Sequence, residues 1–135
     1  MQNTGEVVAS VRREISRLLN TRVAPGHRAS APRLSVVDYG IADFSHISAA
    51  DTLEVDALAT RLTHAIHSFE PRLLNPRVIL QADPSDPRKV IGQMEAKLMI
   101  GIIPEPVCFP LELYLRGNQA LLGDTDQAVL SYEAG

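Results

Sequence analysis

Between residues 6 and 19, Val8, Val11, Ile15 and Leu18 recur at spacings of three and four, with Arg12, Arg13 and Arg17 off that line. A stripe of this period predicts a helix that buries one face. Asn3 or Thr4 stands where a cap is needed, and Glu6 falls in the first turn. The period then vanishes. The stretch 20–33 holds two prolines and a glycine without any repeat, so 22–33 predicts a loop. Leu34, Val36 and Asp38 alternate too briefly to define a strand; Tyr39-Gly40 reads as a turn, and Ser45 or Ser48 as a helix start. From Thr52 the helical period returns through Leu58, Leu62, Ala65, Ile66 and Phe69. Asp51 is a suitable N-cap, with Glu54 three residues on in a capping-box arrangement. Pro71 must end this helix, because a proline pushes the residue before it out of the α region.

Beyond Pro71 the period changes from 3.6 to 2. Residues 77–82 predict a strand and 83–89 a turn-rich link. In 93–103, Met94, Ala96, Leu98 and Ile100 fall on one face, Glu95 and Lys97 on the other. Pro104-Glu105-Pro106 reads as a connection. In 107–116, Val107, Phe109, Leu111, Leu113 and Leu115 alternate with Cys108, Pro110, Glu112 and Tyr114. Pro110 has no N–H for a ladder, which assigns an edge or bulge to that position. Residues 116–119 make a hairpin turn, Ala120 to Leu122 return as a short fourth strand, and 123–135 form a weakly held tail. The expected fold is a single α+β domain over 1–135. Two main helices pack on one face of a small, mainly antiparallel, open sheet of three to four strands.

Composition narrows the function more than the fold. With 135 residues, 45% of them hydrophobic, the chain suits one globular domain. No run of eighteen apolar residues occurs and the start lacks a basic and then apolar leader, so the reading is a cytoplasmic protein without membrane insertion. Cys108 is the single cysteine, which excludes an intrachain disulfide and a cysteine-based zinc cluster. The net charge of −3 hides an asymmetry: residues 1–33 carry about +4 and the remainder about −7. Eleven of the thirteen basic residues are arginine, a usage that suits protein interfaces and that a GC-rich genome also produces. An acidic chain without a zinc-finger spacing or an aromatic RNA-binding box argues against nucleic acid.

Little in the chain resembles catalytic machinery. His64 and His67 lie three apart on the second helix but lack a third ligand, so they read as solvated side chains; no metal or cofactor is expected. There is no GxSxG, phosphate loop or GxGxxG, and Gly92 and Gly101 read as bulges in strand surroundings. A glycosidase needs one carboxyl group that holds its proton, and Glu70, two residues before Arg72, has the wrong neighbour. The stretch Phe69-Glu70-Pro71-Arg72 stands out instead, with opposite charges on either side of a stiff proline. On local grounds two readings stay open: an internal pair that fastens the helix end, or rigid charges offered to a partner at low ordering cost.

Four segments in order, LLNTR (18–22), SVVDYGIADF (35–44), FEPRL (69–73) and the sheet that follows, resemble the TssE baseplate subunits of type VI secretion systems. These are part of the wider family of tailed-phage baseplate-wedge proteins once labelled tail lysozymes. The resemblance covers about residues 8–122. Where the family usually continues DYG with a Pro-Asp, Ala42-Asp43 stands here, so the rigidity of a proline is not encoded in that turn. The resemblance implies a structural role without catalysis. It assigns Glu70, Pro71 and Arg72 to contact with the helix bundle of the TssF and TssG wedge proteins. It also implies seeding of the contractile sheath, whose TssB and TssC subunits add strands to the sheet, with TssK and the spike as further neighbours. The expected edge for that pairing is 107–122, with Glu112, Tyr114, Arg116 and Ala120 at it. The rival readings are a peptidoglycan-cleaving enzyme and a small regulatory anti-adaptor; the LLNTR segment and the order of motifs argue against the latter.

Overall fold

Both helices form where the apolar period places them. The computed structural model describes residues 4–23 and 39–123. Helix α1 spans Thr4–Leu19 and buries Val11, Ile15, Leu18 and Leu19. Thr4 stands inside it; the alternative cap Asn3, the brief alternation from Leu34 to Asp38, most of the predicted loop and the tail beyond 123 lie outside the described residues. Helix α2 spans Thr52–Phe69, with Asp51 as N-cap accepting from the N–H groups of Leu53 and Glu54. The reciprocal half of the capping box is displaced. Glu54 accepts from the Ser48 N–H at 3.2 Å, because the Asp51 N–H already donates to the Ser48 carbonyl. Neither Ser45 nor Ser48 therefore starts a helix; both belong to turns that lead into Asp51. Glu70 closes α2 outside the helical region, at φ −128 and ψ 84, as the following Pro71 requires.

Four strands follow: β1 (Leu73–Asp83), β2 (Asp86–Ile100), β3 (Ile103–Tyr114) and β4 (Gln119–Leu122). They form an antiparallel meander in the order β1-β2-β3-β4. The strands run longer than the period suggests, because hairpin turns are tighter than their composition. The turn-rich link shrinks to Pro84-Ser85, where the Asp83 carboxylate accepts from the Ser85 N–H at 2.8 Å. Pro104-Glu105-Pro106 is not a connection but the start of β3, paired with Lys97 to Met99. The reversal occurs at Gly101-Ile102, with Gly101 at φ 68 in the first central position, the sign a type II′ turn needs. A bulge does occur in β1, at Asn75 (φ 53) and Pro76, where the register slips between Leu74 and Arg77. None occurs at Gly92, which pairs in register with Leu80 and Leu111. Its missing side chain has another purpose: a Cβ there would sit 1.8 Å from the Ile79 carbonyl oxygen. Any other residue would push β1 and β2 apart.

Both helices cover one sheet face, α2 over β1 and the C-terminal end of α1 beside β4. The core between them joins Ile15, Phe44, Leu58, Leu62 and Ile66 to Val90, Met94, Leu98, Phe109, Leu111 and Leu113. Each such side chain stabilises the fold by roughly 1.5–3 kcal/mol on burial.

Candidate functional site

Phe69 to Arg72 is the joint between α2 and the sheet. The Glu70 N–H completes the last turn of α2 on Ile66, and its carbonyl accepts from the Leu73 N–H as β1 begins. Its side chain turns inward; at 7% exposure, Glu70 is the one buried charged residue among those described. Arg72 meets it with a fork, Nε to Oε1 at 2.6 Å and Nη2 to Oε2 at 3.1 Å. The Arg72 N–H also reaches Oε1, at 3.3 Å, so Pro71 is bridged by side chain and backbone together. This hydrogen bonding to Glu70 raises the Arg72 pKa further above its ordinary value. Nη1 reaches the Ser10 hydroxyl on α1 at 3.2 Å, and the Arg72 carbonyl accepts from the Met99 N–H of β2. One arginine thus ties both helices and the sheet together. Tyr39 closes the joint from the other side, its ring edge-on to Phe69 at 5.1 Å, and burial raises its pKa. Ser10 has no signal in the sequence beyond its place on the helix.

The LLNTR segment makes a second joint, after α1. The Asn20 side-chain amide donates to the Ser16 and Ala120 carbonyls, at 2.8 and 2.9 Å, while its oxygen accepts from the Ala120 N–H at 2.8 Å. Arg22 donates to the carbonyls of Leu19, Thr21 and Asn118 and lies over the Phe44 ring at 4.7 Å. Burial lowers its pKa, and its Nε has no acceptor among the described residues. In place of the proline missing after DYG, the Asp43 carboxylate takes the Ser45 N–H at 2.6 Å and holds that turn.

The edge expected at Glu112, Tyr114, Arg116 and Ala120 is arranged differently. Glu112 and Tyr114 lie on β3, an inner strand here, paired with β2 on one side and with Leu121 and Gln119 on the other. Glu112 holds the Lys89 ammonium at 2.6 Å instead. Arg116 is exposed in the turn before β4. Only Ala120 stands on an outer strand, and Asn20 already occupies its outward N–H and carbonyl. Pro110 behaves as its chemistry demands: its carbonyl accepts from the Gly123 N–H at 2.7 Å, so its donor-less nitrogen also faces away from β2. His64 and His67 are exposed on α2.

No described helix is long and apolar enough to cross a membrane. Searches among curated proteins and among solved structures return no match. The comparison with known families is decisive by contrast. The family described as baseplate wedge protein gp25 matches residues 6–101, which include nearly all of α1, all of α2, the LLNTR and FEPRL segments and the first two strands. The match covers well over half of the chain, and the earlier resemblance to TssE fits it: the chain belongs to the gp25 family of baseplate wedge proteins, structural components of the baseplate.

Proposed function

We propose that this chain is the TssE-type baseplate subunit of a type VI secretion system. It docks on the TssF and TssG wedge through Glu70, Pro71 and Arg72 and seeds the TssB/TssC sheath, assembling in the cytoplasm against the membrane-docked baseplate, near TssK and the spike. The observation that carries this reading is the posture of Arg72. Its side chain is 39% exposed while that of its partner Glu70 is buried, so the pair is fixed on its inner side and reaches the surface through Arg72. A guanidinium has five N–H donors. Nε, Nη2 and Nη1 each give one to Glu70 or Ser10, leaving one on each terminal nitrogen for an acceptor on another protein. A cation immobilised before binding loses little entropy on docking.

The two readings of this segment therefore combine. Glu70 fastens the joint and aims Arg72, and Arg72 makes the contact. Co-expression with tagged wedge proteins tests this with Arg72→Lys, which keeps a cation for Glu70 but removes the fixed guanidinium donors. Capture per folded molecule should fall by about 10- to 100-fold, while the urea midpoint falls less than in Arg72→Ala. Undiminished capture by a folded Arg72→Lys protein would overturn the assignment. The role proposed involves no catalysis, since Glu70 is committed to an arginine rather than set in an apolar pocket as a glycosidase acid is. Muropeptide release by the pure protein that disappears with a single Asp or Glu replacement would restore the enzyme reading.

A further inference from the structure

A groove of about 870 Å³ opens where the turns that lead into α2 face the ends of two hairpins. Neither arginine joint lines it. One wall is Ser45 to Ala49; the other is Pro87 and Arg88 at the start of β2, with Leu115 and Arg116 just past the end of β3. Both walls are held before anything binds. The Leu115 N–H donates to the Arg88 carbonyl at 3.1 Å, which sets the two arginine-bearing segments side by side. The Phe44 N–H donates to the Asn118 side-chain oxygen at 3.2 Å and ties the turns to the β3–β4 hairpin. Within the turns, the Ile47 N–H donates to the Phe44 carbonyl and the Ser48 N–H to the Glu54 carboxylate. The width of the groove is therefore fixed by the fold, and an occupant meets surfaces that need little further ordering.

Buried apolar side chains, Ile47, Ala49 and Leu115, form its inner surface. The charged side chains that line it among the described residues are both arginines. Arg88 is 78% exposed, yet Asp86 holds it by a fork, Nε to Oδ1 at 3.0 Å and Nη2 to Oδ2 at 3.2 Å. Three of its five donors remain to be given. Arg116 is exposed and makes no ion pair among the described residues. The Ser48 hydroxyl accepts from the Ala50 N–H at 3.3 Å and keeps its own proton to donate. The carboxylates nearby are already engaged: Asp43 by the Ser45 N–H, Glu54 by the Ser48 N–H and Asp86 by Arg88. We infer that this groove binds a short acidic segment of another protein, its carboxylate on Arg88 and Arg116 and an apolar neighbour on Ile47 and Leu115. Guanidinium forks match carboxylates, and the apolar inner surface favours a peptide over a bare oxyanion. Shortness follows from the surroundings. Asp43, Glu54 and Asp86 stand beside the groove, and the chain beyond residue 33 carries about −7, so a long polyanion such as nucleic acid is repelled. The site lies apart from the Glu70–Arg72 joint and does not depend on the wedge reading.

A library of random short peptides, selected on the full chain and counter-selected on a variant carrying Arg88→Gln and Arg116→Gln, tests the site. Peptides that survive should carry Asp or Glu beside an apolar residue. Added to the parent, a selected peptide should shift the amide resonances of Ser45 to Ala49, Arg88 and Arg116. Arg116→Gln alone should weaken its binding by about tenfold, and so should Asn or Gln in place of the peptide's acid. The urea midpoint of Arg116→Gln should stay near that of the parent, because Arg116 is exposed and outside every ion pair described. Inorganic phosphate and a single-stranded oligonucleotide are titrated against the same amides. No surviving peptide, survivors without acids, shifts confined to other amides or undiminished binding by Arg116→Gln would each overturn the site. Phosphate or oligonucleotide binding there more tightly than the selected peptides would overturn its assignment to a protein segment.

Discussion

The two helices end in parallel ways, with Asn20-Thr21-Arg22 after α1 and Glu70-Pro71-Arg72 after α2. In each, a polar residue closes the helix and an arginine two places later fastens the joint to the sheet. The partners differ. Arg72 faces a carboxylate through a fork and shows its outer side to solvent. Among the described residues Arg22 donates to backbone carbonyls alone, lies on Phe44 and is held against the protein deeply enough for burial to lower its pKa. A cation neutralised from behind can remain at the surface with donors to offer. A cation that satisfies carbonyls must be enclosed by them. The same residue type, at the same spacing from a helix end, is therefore enclosed by carbonyls in one joint and left partly exposed beside a buried carboxylate in the other.

The sharpest way to break this comparison is to truncate the α2 joint from each side. Arg72→Ala leaves a buried carboxylate unpaired and should cost about 2–4 kcal/mol, below the range for fully buried pairs because Arg72 is partly exposed. Glu70→Ala leaves a guanidinium that can turn to water, so its cost should be about 1–2 kcal/mol. Urea unfolding of both variants decides; equal or reversed costs would mean that burial is not what distinguishes the partners. Arg22→Ala comes next, at about 1–3 kcal/mol, from lost carbonyl bonds and the contact with Phe44. Its wedge capture per folded molecule should match the parent; a capture defect would show that Arg22 also meets the partner. Asn20→Ala should cost about 1–2 kcal/mol and free both outward groups of Ala120. Sedimentation should then show self-association that the parent lacks at equal concentration, and a strictly monomeric variant would refute the clasp as an edge guard.

The smallest effect concerns acid. Hydrogen bonds from Ser45, with lesser help from His46 and Arg22, hold the Asp43 pKa below that of an ordinary aspartate. A carboxylate depressed in the folded state contributes stability above its unfolded pKa, and loses it as pH falls through the folded value. Asp43→Asn should therefore lower the midpoint slightly at neutral pH, converge on the parent at low pH, and so show a flatter decline below the ordinary aspartate range. An identical acid slope in the variant would remove Asp43 from the account.

How much of this was legible in the chain depends on the range of the interaction. The 3.6 period of α1 and α2, Asp51 as N-cap and the stop at Pro71 are local, and the structure repeats them. Alternation marked the inner faces of β2 and β3 because burial imposes a period of two wherever one face is covered. FEPR was legible as a charged joint but not as to which charge turns inward. That depends on Ser10, 62 residues away, and on the close packing of α1 beside it.

The prolines show the limit most clearly. Pro104 and Pro106 look like strand breakers in isolation, and only register reveals that their nitrogens face outward, where no ladder bond is lost. The lone edge position read from Pro110 thus becomes a row of three. The edge guards are equally invisible from local pattern. Asn20 meets Ala120 across 100 residues of chain, and Thr63 reaches Val78 from a helix that predicts nothing about strand edges. Periodicity and capping are set by residues within a turn or two of each other, so the sequence alone determined the helices, the alternating faces and the charged joint. Which edge positions are covered is set by where distant side chains arrive, and that only the tertiary structure decided.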